Sequence, residues 1–247
     1  FTTELFYRDL FFLSDVFDQQ DIGGSLSWRK PLGEHSYAEL AYTMKNVKIH
    51  NIDENASEEI RLEEGNYLQS KIDLSWGHDT RDSVYITRKG HKFEIGTMMS
   101  GSFLGGDADV YGFNMSGMQF FNLPWDHIFS IEGAFRTVNT WGDGDRVPIF
   151  ERLFLGGANN LRGFDYREVG PKDGTGEPLG GLTSAYATFE YTFPIVEKVR
   201  GAFFYDVGVV SGDSFDWGGD VNSNVGVGPR LFLPIGPIRV DFGIPVQ

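Results

Sequence analysis

Hydrophobic and polar residues alternate with a period of two along most of this chain, in segments of about ten residues separated by turn-forming residues. Roughly eleven such segments can be read, at residues 3–13, 22–32, 36–49, 67–78, 91–102, 109–123, 127–141, 182–194, 199–210, 222–233 and 237–246. Several alternate cleanly. Ala38, Leu40, Tyr42 and Met44 oppose Glu39, Ala41, Thr43 and Lys45; Phe129, Ile131 and Phe135 oppose Ser130, Glu132 and Arg136; Ile238, Val240, Phe242 and Ile244 oppose Arg239, Asp241 and Gly243. Successive side chains of a strand point to opposite faces, so a one-residue slip would reverse every charge, and register is strongly specified. The first segment, ELFYRDLFF, alternates poorly and leaves its facing open.

The connections alternate between short and long. Short ones fall at 33–35, 124–126, 195–198 and 234–236, with a stiffer one at 79–90 (DTRDSVYITRKG); long ones fall at 14–21, 51–66, 101–107, 142–181 and 211–221. Short turns at one end and long loops at the other, joining segments with one apolar and one polar face, are the pattern of a transmembrane antiparallel β-barrel. Trp28, Trp76, Trp125 and Trp141 lie near segment ends, where interfacial aromatic girdles form; Trp217 lies in a loop and counts for neither side.

Composition agrees with one large all-β domain: 247 residues, 40% hydrophobic and 15% aromatic, with 32 glycines and no cysteine. Nothing approaches the roughly 18 consecutive apolar residues of a membrane helix, but barrels hide their apolar surface in alternate positions. The net charge of −14 argues against general binding to nucleic-acid phosphates. Much of the acid sits in loops. The run Asp53, Glu54, Glu58, Glu59, Glu63 and Glu64 reads most simply as solvated, as do Asp213, Asp216 and Asp220, with divalent-cation binding as the alternative.

Enzyme signatures are missing. There is no thiol to act as nucleophile or ligand, and no serine sits in a nucleophile elbow. His35, His50, His78, His91 and His127 lack metal-ligand spacing and read as solvated residues near strand ends. Gly226 and Gly228 lack the rest of a dinucleotide fingerprint and read as packing room in a curved sheet. No catalytic residue, metal site or cofactor is therefore expected.

The most specific stretch is 150–164, FERLFLGGANNLRGF, which sets an Arg-Gly-Phe tripeptide on a glycine-rich loop. Glycine before an aromatic is by itself ordinary turn chemistry. Two later strands, however, offer carboxylates facing the same way. In LTSAYATFEYTF, Glu190 lies on the polar face; in VRGAFFYDVGV, Asp206 points inward with Arg200, Ala202, Phe204 and Gly208. A guanidinium carries donors in a planar fork suited to two carboxylates, so Arg162, Glu190 and Asp206 are expected to form a buried clamp.

With those residues in place, the chain resembles the outer-membrane assembly and translocation barrels of the BamA superfamily. The loop motif reads here as Phe154, Gly156, Gly157, Arg162, Gly163 and Phe164, and the acidic partner strands as Phe189-Glu190-Tyr191 and Phe204-Tyr205-Asp206-Val207-Gly208. The Asp79-Thr80-Arg81-Asp82 turn and the Leu233-Pro234-Ile235-Gly236-Pro237 hairpin are also similar to the family's. The resemblance implies that the loop folds back into the lumen and that its arginine meets those acids. It implies further that residues 1–247 are the C-terminal β-barrel domain, incomplete, of a barrel of about sixteen strands, since bacterial single-chain barrels have an even count. On that count about four strands before Phe1, one after Gln247, and the periplasmic POTRA repeats lie outside this sequence.

The function so implied is non-enzymatic: an assembly factor in the bacterial outer membrane that folds and inserts client β-barrel proteins through a lateral gate. Its expected partners are the lipid bilayer, unfolded outer-membrane clients and accessory lipoproteins of an assembly complex. The alternatives are a two-partner secretion pore, which shares the loop motif, and a passive porin-like channel, which has no need of the Arg162 clamp.

Overall fold

The computed structural model describes residues 1–233 and 236–246. They form one antiparallel sheet of 12 strands. In chain order these are β1 (Thr2–Asp9), β2 (Asp18–Pro31), β3 (Ser36–His50), β4 (Gly65–Asp79), β5 (Gly90–Ser100), β6 (Val110–Leu123), β7 (His127–Thr140), β8 (Thr183–Val196), β9 (Val199–Ser211), β10 (Val221–Leu233), β11 (Gly236–Arg239) and β12 (Phe242–Val246). Each strand from β1 to β9 pairs with the next, while β11 and β12 both lie along β10. Among the described residues the sheet is not closed on itself, because β1 and the edge formed by β11 and β12 do not pair.

The period-two pattern governs which face each residue takes. Leu40, Tyr42, Met44, Leu74, Ile131, Phe189, Phe203, Tyr205, Val225 and Val227 stand exposed on the outer face. Gln69, Ser184, Arg200, Asp206 and Asn224 are buried on the inner one. A water-soluble sheet buries its apolar face; here the apolar face is outside, as hydrocarbon surroundings require. Among the described residues no helix is long and apolar enough to cross a membrane.

Aromatic side chains gather on this outer surface. Phe1 stacks on Trp28 at 6.3 Å and Phe193 on Phe203 at 5.7 Å. Trp217, from the loop after β9, stacks at 5.0 Å on Phe135 of β7, and so joins the outer surface rather than standing apart in its loop. Four of the five histidines depart from the solvated reading, while His35 is exposed as expected. His78 lies between His91 at 5.2 Å and His35 at 6.0 Å, beside Trp76, and its Nδ1 meets the Ser36 hydroxyl at 2.8 Å. His127 hydrogen-bonds the Tyr191 hydroxyl, and the enclosed Nε2 of His50 has no partner among the described residues. These rings serve packing at strand ends, where their spacing in sequence carries no signal.

Three boundaries differ from expectation. The first strand stops at Asp9 and the second starts at Asp18, so the loop expected at 14–21 lies at 10–17. Gln19 and Asp21 are buried, and Asp21 accepts from Lys45 at 2.7 Å. A strand that presents polar residues to a polar lumen looks like loop in sequence, which explains the misplacement. The last segment, expected as one strand over 237–246, breaks between β11 and β12 at Val240 and Asp241. There the Val240 carbonyl crosses where a Cβ on Gly228 would lie, 2.0 Å away, so that glycine gives the break its room. Pro234 and Ile235 of the expected hairpin lie outside the described residues.

The long loops are not merely solvated. Phe17, Val47, Ile49, Ala56, Ile60 and Ile149 form a core over the long-loop end, with Phe150 and Phe154 packed against it. Ile60 belongs to the single helical turn α1 (Glu58–Arg61) inside the acidic run. Glu63 of that run is 1% exposed, ion-paired with Arg146 and Arg152 at 3.3 Å each, and accepts the Ile149 N–H at 3.2 Å. It is an anchor between loops, not a solvated acid.

The facing predicts a sharp asymmetry. Leu40→Arg, placing a charge on the outer face, should destabilise the full-length barrel by roughly 2–4 kcal/mol, whereas Thr43→Lys on the lumen face should be tolerated. The temperature at which the folded gel band converts to the unfolded one measures both. Equal losses would contradict the facing.

Candidate functional site

The loop between β7 and β8 turns back into the lumen and is tied down along its length. It pairs with itself twice, through Leu155 and Val169 and through Leu153 and Gly181. Leu155, Leu161 and Val169 form a small core with Val210 of β9, against which Phe164 packs. Its tip is closed by Gly157, whose N–H is shared between the carbonyls of Leu161 and Phe164 at 3.1 and 3.0 Å. The tip then reaches Arg239 of β11, whose guanidinium donates to Ala158 O and to Asn159 Oδ1.

Two glycines make the turn possible. Gly156 sits at φ 111°, and a Cβ there would lie 2.2 Å from the Asp165 carbonyl. At Gly163 the reason is close approach, since a Cβ would come within 2.5 Å of the Cβ of Asn224 on β10. The two aromatics of the motif divide their tasks. Phe164 fills the loop's core, while Phe154 lies under the guanidinium of Arg167 at 3.5 Å.

Register across three strands builds the receptor for Arg162. Thr188 of β8, Asp206 of β9 and Asn224 of β10 are direct cross-strand neighbours, and the next inward row is Glu190, Phe204 and Gly226. Thr188 Oγ1 and Asn224 Nδ2 each donate to Asp206 at 2.9 Å, which fixes its carboxylate. In the second row Gly226 leaves space for the Phe204 ring, which a Cβ would approach at 2.2 Å. That ring supports the Arg162 guanidinium from 3.5 Å. Packing room is thus the role of Gly226.

Arg162 then engages both expected acids. Its Nε and Nη2 donate to the two oxygens of Asp206 at 2.9 and 2.7 Å, a bidentate pair, and Nη1 donates to Glu190 at 2.7 Å. Its backbone N–H adds a bond to Asp206 at 3.2 Å. The Arg162 side chain is 4% exposed and Asp206 is fully enclosed. Burial opposes the arginine's charge, but the hydrogen bonds it donates to Asp206 and Glu190 outweigh it and hold the guanidinium above its ordinary range.

The network is larger than the expected trio. Arg230 of β10 makes its own bidentate contact with Glu190, Nη2 at 2.7 Å and Nε at 3.3 Å, and donates from Nη1 to Asp241 at 2.6 Å. Asp241 in turn lies 3.5 Å from Arg162. Two arginines therefore alternate with three carboxylates. Asp241 already belongs to the inward face of its segment by alternation, so its facing was legible; its membership depends on the break that swings it over β10, which alternation does not encode. Arg230 follows the inward row of Gly226 and Gly228, a signal that the apolar run around it obscures.

An Omp85 superfamily domain matches residues 1–247, the whole chain. The chain is similar to the outer membrane protein assembly factor BamA of Nitratidesulfovibrio vulgaris, 28% identical over 238 residues that cover 94% of this chain and 30% of that protein. It is also similar to a SAM50-like protein of Schizosaccharomyces pombe, 31% identical over 169 residues, 66% of this chain and 34% of the other. Among solved structures, BamA from Haemophilus ducreyi lacking POTRA domains 1–3 superposes with a TM-score of 0.83 at 19% identity, over 99% of this chain and 55% of that one. The chain spans about a third of the length of the curated relatives it matches.

The network predicts which changes free the loop. Removing one partner of a buried pair leaves an uncompensated charge, so Arg162→Ala should weaken loop docking by roughly 3–5 kcal/mol, with Arg162→Lys restoring part because its fork is lost. Hydrogen exchange of residues 153–169 in the full-length protein reads this directly. Unchanged protection in Arg162→Ala would show that the loop is held by other contacts.

Proposed function

Because the chain belongs to the Omp85 superfamily, we propose that it is the barrel portion of an outer-membrane protein assembly factor that folds and inserts client β-barrel proteins without covalent chemistry. The observation that carries this reading is the loop docked in the lumen by the Arg162 network, in a chain similar over 94% of its length to a BamA assembly factor. A passive channel needs an open lumen; here the loop occupies it and is fixed by buried ion pairs, which favours an assembly role.

The bacterial outer membrane is the proposed location. The BamA relative aligns over more of this chain than the fungal SAM50-like protein does, which supports the bacterial assignment. Partners on this reading are the bilayer, unfolded client barrels and accessory lipoproteins of an assembly complex. The client strand would pair by β-augmentation at the seam between first and last barrel strands, a lateral gate. Residues 1–247 then supply the rigid wall and the loop clamp.

Reconstitution tests it. Full-length protein in proteoliposomes should fold an unfolded client barrel at least about tenfold faster than empty liposomes, a barrier lowered by some 1.4 kcal/mol or more. A disulfide locking the first strand to the last should block insertion until reductant is added. No acceleration by the unlocked protein would exclude an assembly role, and full activity of the oxidised protein would exclude the gate.

A further inference from the structure

Beside the docked loop, its walls formed by that loop with β7, β8, Leu13 and Gln19, lies a cavity of about 440 Å3. Three arginines line it, Arg136, Arg152 and Arg167, and no aspartate or glutamate does. In a chain with 35 acidic and 21 basic residues that is a local reversal of sign. Arg152 is accounted for: it pairs with Glu63 at 3.3 Å and donates to the carbonyls of Val147 and Leu179. Among the described residues Arg136 and Arg167 pair with no carboxylate.

Arg167 is the more informative of the two. It is 9% exposed, sits at φ 63°, and rests on the Phe154 ring. One Nη1 bond to the Leu13 carbonyl at 3.3 Å is its single hydrogen bond among the described residues, and its enclosed Nε has no partner. Burial, only partly opposed by Tyr166 and Glu177, lowers its pKa to about 10. A guanidinium withdrawn from water is ordinarily met by a carboxylate, and a left-handed backbone at a non-glycine residue is itself unfavourable. Both features together, at the wall of a cavity free of acids, mark a place prepared for negative charge from outside the chain.

We propose that this cavity binds a phosphate-class oxyanion between Arg136 and Arg167. Two uncompensated guanidinium groups match the double charge of a phosphate monoester, and their planar forks match its oxygens. Asn159 and Tyr166 supply neutral polar groups on the same wall, and Phe150 and Leu153 an apolar one. The volume falls within the range of small-molecule sites and exceeds what a bare ion needs, leaving room for a small organic group. Inorganic phosphate and a glycerophosphate headgroup share this chemistry.

Equilibrium binding to the full-length protein in phosphate-free, non-ionic detergent tests the site, with inorganic phosphate and glycerol 3-phosphate as probes. Saturable binding of one equivalent is expected. Arg136→Gln should weaken it about tenfold or more, the loss of one charge-assisted contact, and Arg167→Lys should weaken it through loss of the fork. Arg29→Gln, on the opposite part of the sheet, should leave it unchanged. Tighter binding of glycerol 3-phosphate points to a headgroup, and equal or weaker binding to the free ion. Arg136 is an exposed side chain, so that variant carries the test if Arg167→Lys loses the folded gel band. No saturable binding of either probe, or binding unchanged in Arg136→Gln, overturns the proposal.

Discussion

A guanidinium withdrawn from water must be met by carboxylates already in position, and this structure is arranged around that requirement at Arg162. The cross-strand row Thr188, Asp206 and Asn224 holds one acid, and the row Glu190, Phe204 and Gly226 provides the second acid and the ring on which the arginine lies. Neither row exists without the antiparallel register of β8, β9 and β10. The loop therefore docks only on a correctly registered sheet, and its glycines matter because Asn224 and Asp165 approach where side chains would stand. Folding of the wall and docking of the loop are coupled through one set of hydrogen bonds.

Much of this was legible in the sequence. Alternation gave the facing of Glu190 and Asp206, the outer apolar surface, and the placement of short and long connections. What it missed has separate physical causes. Gln19 and Asp21 lie in a strand that turns polar residues to a polar lumen, so the contrast on which alternation depends is lost. Glu63 looked solvated because its partners, Arg146 and Arg152, are more than eighty residues away in sequence. Asp241 joins the clamp through a strand break that is set by packing at Gly228 rather than by any local pattern, and the apolar run around Arg230 obscures its facing.

The loops make a second structure on top of the first. Their shared core of Phe17, Ile60 and Ile149, together with the Glu63 ion pairs, ties the acidic loop to the start of the loop that carries Arg162. The clamp loop is thus held at two levels, by apolar packing at the long-loop end and by charge in the lumen. Such an arrangement keeps the loop fixed in the lumen from both ends.

The central claim is that Arg162 and Asp206 act as a unit in docking the loop. A double-mutant cycle of Arg162→Ala and Asp206→Asn, read by hydrogen exchange of residues 153–169 in the full-length protein, tests it most directly. Residues in one network are non-additive by roughly 0.5–3 kcal/mol, so the double variant should be scarcely less protected than Arg162→Ala alone. Losses that simply add would contradict the account, because they would mean that each residue holds the loop independently of the other.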